Sequence, residues 1–224
     1  MKKRTIQFGT YDTARKGWTL TGYKLSDAEQ KTNYVEKAGG DGSWDLSTAL
    51  SDGIPRYKDR SLTVTLMCSE GDRAHREELI SELVNLLDGL VHMIVLPDHP
   101  SHYVTGRLHV AEDCNTPAYA AVTVTGVCGP WIESQQERVI TKTATAEEQR
   151  MMLVNNGRRV VLPTLTVSAG GSVYLRTGAP EDAGVTLTEG SYTWAALMLT
   201  NGAHELYYSG TGTLTITYRE AVLR

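Results

Sequence analysis

Asp98, His99 and His102 are the one group of neighbours in this 224-residue chain whose types and spacing suit a metal ion. A His-x-x-His pair beside a carboxylate can hold a divalent cation, because imidazole and carboxylate are both ligands for one. Pro100 lies inside the group, and no third and fourth ligands stand at the spacing that zinc sites use. A hairpin turn fits the same residues just as well, and without further ligands no metal is expected. Glu77 and Glu78 are adjacent carboxylates of the kind that acid-base catalysis uses. At the start of a helix, however, such a pair serves the positive end of the helix dipole. His75, His92, His109 and His204 are scattered. No Gly-x-Ser-x-Gly elbow and no phosphate loop is present, and the run from Gly39 to Ser43 lacks the lysine and helix that a nucleotide cradle needs. No catalytic residue and no cofactor follow from these patterns. Aromatic residues offer one more possibility. Tyr192 and Trp194, at alternate positions, would share a strand face, and with Tyr207 and Tyr208 they would make a stacking platform for a glycan. Core packing explains the same pattern equally well.

The elements that must position these residues are mostly strands. Short strands are expected over 5–8, 18–25 and 34–36, with a glycine-rich run over 39–43 that resists regular structure. Ser61-Leu62-Thr63-Val64-Thr65-Leu66-Met67-Cys68 alternates with period two, apolar on one face and half-polar on the other. The period then changes. Leu79, Ile80, Leu83, Leu86 and Leu87 form one apolar helical stripe, with Ser69 or Asp72 as cap and Gly89 as terminator. A buried strand over 91–96, a turn over 97–101, a hairpin partner over 103–110 and a further strand over 118–127 follow. Cys128-Gly129-Pro130-Trp131 punctuates the chain, and a domain boundary is expected there, giving domains 1–131 and 132–224. Beyond a polar stretch over 133–150, strands are expected over 151–154, 159–167, 172–176, 185–188, 192–199, 204–208 and 213–218. Short strands with frequent turns are the pattern of a sandwich or barrel.

Composition narrows the function. Lys and Arg total 22 against 26 Asp and Glu, a formal charge of -4. That mild acidity argues against wrapping nucleic acid, and the basic start Lys2-Lys3-Arg4 is too short to form a patch. Thr5-Ile6-Gln7-Phe8-Gly9 is no apolar signal core, so export is not expected. No run approaches the ~18 apolar residues of a membrane helix. Cys68, Cys114 and Cys128 are an odd number placed far apart, which fits reduced thiols in a protein made in the cytosol.

Taken together, these residues resemble the distal tail protein (Dit) family of long, non-contractile-tailed bacteriophages and prophages. The resemblance is carried by Tyr34-Val35-Glu36 leading to Gly39-Gly40-Asp41-Gly42-Ser43-Trp44-Asp45-Leu46-Ser47, then by Tyr57-Lys58-Asp59-Arg60 with its strand, and by the helix. Tyr103 to Arg107, Cys128-Gly129-Pro130-Trp131, Asn155-Asn156-Gly157, Leu162-Pro163-Thr164-Leu165-Thr166-Val167 and the closing run from Thr213 to Arg219 extend it over nearly the whole chain. The family often has Pro where this chain has Ala38 or Gly39. The resemblance implies a mainly β protein with one α-helix: an N-terminal β-sandwich belt domain with a docked helix, and a C-terminal galectin-like β-sandwich. It implies a structural, non-enzymatic virion component at the tail tip, made in the bacterial host's cytoplasm. Six copies would form a ring between the tail tube protein and the tail-associated lysin or hub, and DNA would pass without specific binding. Heterologous, closing interfaces build such rings, and a polar loop between edge strands can extend a neighbour's sheet. Asp41, Gly42, Trp44, Asp45, Tyr57 and Arg60 are the expected ring-interface residues. The alternative is a glycan-binding module for host cell-wall saccharide, using Tyr192, Trp194, Tyr207 and Tyr208.

Overall fold

The computed structural model describes residues 4–51, 53–178 and 183–224. Lys2 and Lys3 lie outside them. The protein is mainly β, with one helix among the described residues. It divides into two compact units, residues up to 132 together with Arg224, and residues 133–223.

In the first unit the strands are β1 (Gln7–Phe8), β2 (Tyr11–Asp12), β3 (Thr19–Leu25), β4 (Tyr34–Glu36), β5 (Ser43–Asp45), β6 (Arg60–Cys68), β7 (Val91–Val95), β8 (His102–Asn115) and β9 (Ala120–Cys128), with α1 (Arg73–Leu87) between β6 and β7. Seven of them form one antiparallel sheet in the order β2-β1-β7-β8-β9-β6-β3, while among the described residues β4 and β5 pair only with each other. The alternation in β6 has its expected consequence: Leu62, Val64, Leu66 and Cys68 are buried, and Ser61 and Thr63 are exposed. The buried row faces α1 and joins one core with Phe8, Trp18, Ile94, Val104, Leu108, Val122 and Val124. Val91 and Met93 in β7 are exposed, so this strand alternates instead of being buried on both faces as its composition suggested.

Helix α1 starts where the Asp72 carboxylate accepts the His75 N–H at 2.8 Å and stops before Gly89, whose φ of 71° is left-handed. Leu79, Ile80, Leu83 and Leu87 face the sheet. Leu86, expected in the same stripe, is 36% exposed. The stripe instead runs back to Arg76, which is 1% exposed. Its guanidinium donates to the carbonyls of Gly71, Thr116 and Pro117 at 2.6, 2.8 and 3.0 Å, tying the helix start to the β8-β9 turn.

The second unit contains β10 (Ile132–Ser134, which begins at the division), β11 (Arg138–Thr143), β12 (Gln149–Asn155), β13 (Thr164–Arg176), β14 (Val185–Thr193), β15 (Gly202–Thr211), β16 (Thr213–Tyr218) and β17 (Ala221–Val222). The sheet order is β11-β16-β13-β15-β12, with β14 also on β13. Strand β13 pairs β16 with its first half and β15 with its second, and its register breaks between Val167 and Ser172. That break is where the strand turns to serve both neighbours. Gly171 fits there because a Cβ would meet the Ser168 carbonyl at 2.9 Å. The two strands expected over 159–167 and 172–176 are therefore one. The polar stretch over 133–150 holds β11, whose side chains are nearly all exposed and so lack an apolar signal. The strand expected over 192–199 ends at Thr193. Asn155 is buried and fully used: its amide donates to the carbonyls of Arg159 and Leu199, and its oxygen accepts the Gly157 N–H.

Candidate functional site

Two features of the first unit stand out, an arm and a cleft. The arm is the excursion over 26–59 between β3 and β6. At its root, Arg60 is 5% exposed and donates Nε to the Ser26 carbonyl at 2.6 Å. Burial lowers the pKa of that guanidinium. The Ser26 and Ser61 backbones are joined by the Ser26 N–H and by the Ser26 hydroxyl. Beyond the root the two limbs run side by side. Lys58 N–H donates to the Glu29 carbonyl, Lys31 N–H to Arg56 and Leu46 N–H to Asn33, each at 2.8 Å. The Tyr57 ring sits edge-on to Trp131, 5.3 Å between centroids. At the tip β4 and β5 form a hairpin with Tyr34 opposite Asp45 and Val35 opposite Trp44. Gly39 and Gly42 take left-handed φ of 72° and 76° in its turn, which only a residue without Cβ adopts freely.

The tip exposes what a core would bury. Tyr34 and Trp44 are each 61% exposed, and Val35, Leu46 and Leu50 are exposed as well. Lys37 places its ammonium 5.0 Å from the Trp44 ring centroid. The Asp45 carboxylate accepts the Ser47 N–H at 2.9 Å, and Ser47 holds its pKa below the usual carboxylate range. Among the described residues, every hydrogen bond and ion pair of the segment 33–51 stays within the arm.

The cleft, of about 480 Å³, runs along β3 from Leu20 to Leu25. Its lining carries Arg4, Lys24, Arg60 and Arg224 against Asp27 and Asp98. Asp98 takes Arg4 at 2.7 Å and also accepts the Tyr23 hydroxyl. Tyr23 and Arg4 hold the carboxyl below its ordinary range, and burial followed by the Asp98 bond pushes the Tyr23 hydroxyl up to about 12. The cleft residues come from distant parts of the chain, and sequence reading gave no signal for them beyond the charges themselves.

The expected ring-interface residues therefore separate. Asp41, Gly42, Trp44 and Asp45 share the exposed tip, Tyr57 lies along the limb, and Arg60 is buried at the root. The expected glycan platform does not assemble. Tyr207 and Tyr208 are successive in β15 and face opposite ways, Tyr208 being 4% exposed in the core. Tyr192 and Trp194 pack against that core, and Trp194 lies outside β14. One face of Tyr207 is covered by the Arg176 guanidinium, 4.0 Å from the ring centroid and itself gripped by Glu148. Of the metal-like cluster, Asp98 is committed to Arg4 and Tyr23, and His99 and His102 meet edge-on at 6.5 Å. Among the described residues no group of three or more His, Cys, Asp or Glu is assembled as a metal site, and no helix is long and apolar enough to cross a membrane.

Two β units with, among the described residues, one helix packed on the first make a mainly β fold, and it is the fold of a solved distal tail protein. The crystal structure of the Dit protein (gp 19.1) of phage SPP1 is similar to this chain, with a TM-score of 0.69, 97% of this chain and 98% of that one covered, and 17% sequence identity. That protein is described as a paradigm of the hub adsorption apparatus of phages that infect Gram-positive bacteria. No protein-family model matches the sequence, and no curated protein matches it.

Proposed function

We propose that this protein is a structural, non-catalytic component of a phage tail tip. Six copies close into a ring between the tail tube and the hub or tail-associated lysin, and the ring leaves a channel for DNA. The first unit forms the ring and the second faces outward. The observation that carries this reading is the arm: a paired hairpin whose tip leaves Tyr34, Val35, Trp44, Leu46 and Leu50 exposed. A surface of that kind marks an interaction site, and a heterologous contact repeated around an axis gives a closed ring. The likeness to SPP1 Dit over nearly the full length supports it. Native mass spectrometry of the full chain tests it. A species at six times the 24.6 kDa chain mass, with a central channel in negative stain, is expected. A monomer at tens of micromolar that also forms no ring with tube or hub protein would refute it.

A further inference from the structure

The cleft beside β3 has the size and lining of a small-molecule site, and the proposed ring makes no use of its charge. We infer that it binds a small phosphate monoester, with Lys24, Arg60 and Arg224 around the phosphoryl group and the apolar side chains around the organic body. Every lining residue belongs to the first unit, so the site is complete within it.

Three observations converge. The first is charge. In a chain of formal charge -4, the cleft gathers Arg4, Lys24, Arg60 and Arg224 against Asp27 and Asp98, a surplus of two positive charges. Arg4 and Asp98 pair with each other at 2.7 Å. Among the described residues, the side chains of Lys24 and Arg224 make no hydrogen bond or ion pair, so both are available to an anion.

The second is burial. Arg60 is 5% exposed and fixed by its Nε bond to the Ser26 carbonyl, a cation held in place before any ligand arrives. Arg224 stands near enough to act on it: burial lowers the Arg60 pKa, and the Arg224 charge lowers it further. An anion close to both guanidiniums relieves that repulsion, and the planar fork of Arg suits the oxygens of a phosphate.

The third is the rest of the lining. Leu20, Leu25, Leu96 and Ile132, with the Tyr23 ring, supply apolar surface. The cleft's volume of about 480 Å³ falls among sites that hold small organic ligands, roughly 300–1,000 Å³. The charge calls for a dianion, and the volume and apolar lining call for more than inorganic phosphate. A monoester meets both demands, since it carries nearly two negative charges at neutral pH. Asp27 is the carboxylate that opposes such a ligand.

Isothermal titration calorimetry of the full chain at about pH 7.5 tests this with phenyl phosphate, inorganic phosphate and benzoate. Phenyl phosphate should bind more tightly than phosphate, which lacks the body, and than benzoate, which carries a single charge. Lys24→Gln and Arg224→Gln, both at exposed side chains, should each weaken phenyl phosphate at least about fivefold, and Lys24→Arg should stay within about twofold of wild type. Asp27→Asn should tighten it about twofold, a gain that damage to the fold would not produce. Circular dichroism checks that each variant stays folded. No saturable binding of phenyl phosphate below about 10 mM overturns the site, as does binding that Lys24→Gln and Arg224→Gln leave unchanged. Inorganic phosphate that binds as tightly as phenyl phosphate overturns the organic body, and benzoate that binds as tightly overturns the phosphoryl group. None of these results depends on whether rings form, so the ring reading stands or falls separately.

Discussion

The arm and helix α1 are both excursions from the sheet of the first unit, and both carry large apolar side chains. They treat them in opposite ways. In α1, Leu83 and Leu87 are fully buried in the core shared with the sheet, and apart from Ala74 and Leu86 the residues that face away are polar or charged. In the arm, Tyr34, Trp44 and Leu50 point into solvent, and shape is held by main-chain bonds between the limbs. A two-stranded hairpin alone is marginally stable in water. This one is clamped at its root by Arg60 and Ser26 and by the Tyr57 and Trp131 rings. The difference separates two uses of apolar surface. One stabilises the fold, and the other is the surface that the proposed ring would cover.

Leu83→Ala should break the helix side of this comparison hardest. It leaves a cavity under α1 and should cost about 2–5 kcal/mol in urea or thermal unfolding. A loss under about 1 kcal/mol would mean that the stripe is not what holds the helix down. Arg76→Met comes next. It deprives the carbonyls of Gly71, Thr116 and Pro117 of their donor, at a cost of about 1–3 kcal/mol. Part of that loss is offset because a buried charge is also removed. If Arg76→Met proves neutral, the tie between the helix start and the β8-β9 turn is ornamental.

Trp44→Ala sharpens the arm side. Because Trp44 is 61% exposed at the tip, the isolated chain should unfold within about 0.5 kcal/mol of wild type. Ring formation should fall sharply in the same sample. A large loss of stability in the monomer would place Trp44 in a core and remove the distinction between the two excursions.

The helix side was legible in the sequence and the arm side only in part. Alternation in β6 and the stripe in α1 are statements about burial, and burial is what local periodicity records. Leu86 escaped because a stripe of that width can tilt either way, and Arg76 took the other edge. Strand β11 and the outer face of β7 were missed for a related reason: exposed strands have little apolar signal to read. The tip was marked by Gly39, Gly42 and Trp44, yet that β5 closes onto β4 follows from pairing at a distance. The cleft was invisible because Arg4, Tyr23, Lys24, Arg60 and Asp98 come together only when the sheet has formed. The four aromatics of the glycan reading do not share one face, because Tyr207 and Tyr208 are neighbours in a strand and point opposite ways.

The smallest expected effect concerns the strand from which the arm leaves. Where α1 is held by contact, β3 is held to the segment around Asp98 by charge and hydrogen bonds. The Asp98 pKa is depressed in the folded chain by Tyr23 and Arg4. Its contribution is therefore fully present above the unfolded carboxylate value of about 3.9 and fades as pH falls through the lower folded value. The pair is well exposed, so the effect is modest and weakens further with salt. Hydrogen exchange of the β3 amides, corrected for intrinsic rates, gives the measurement. Asp98→Asn should reduce protection at pH 7, and the difference from wild type should shrink as the pH falls below the unfolded carboxylate value. If wild type and Asp98→Asn protect β3 equally at pH 7, charge does not hold this edge, and packing of Leu20, Tyr23 and Leu25 on the core does so instead.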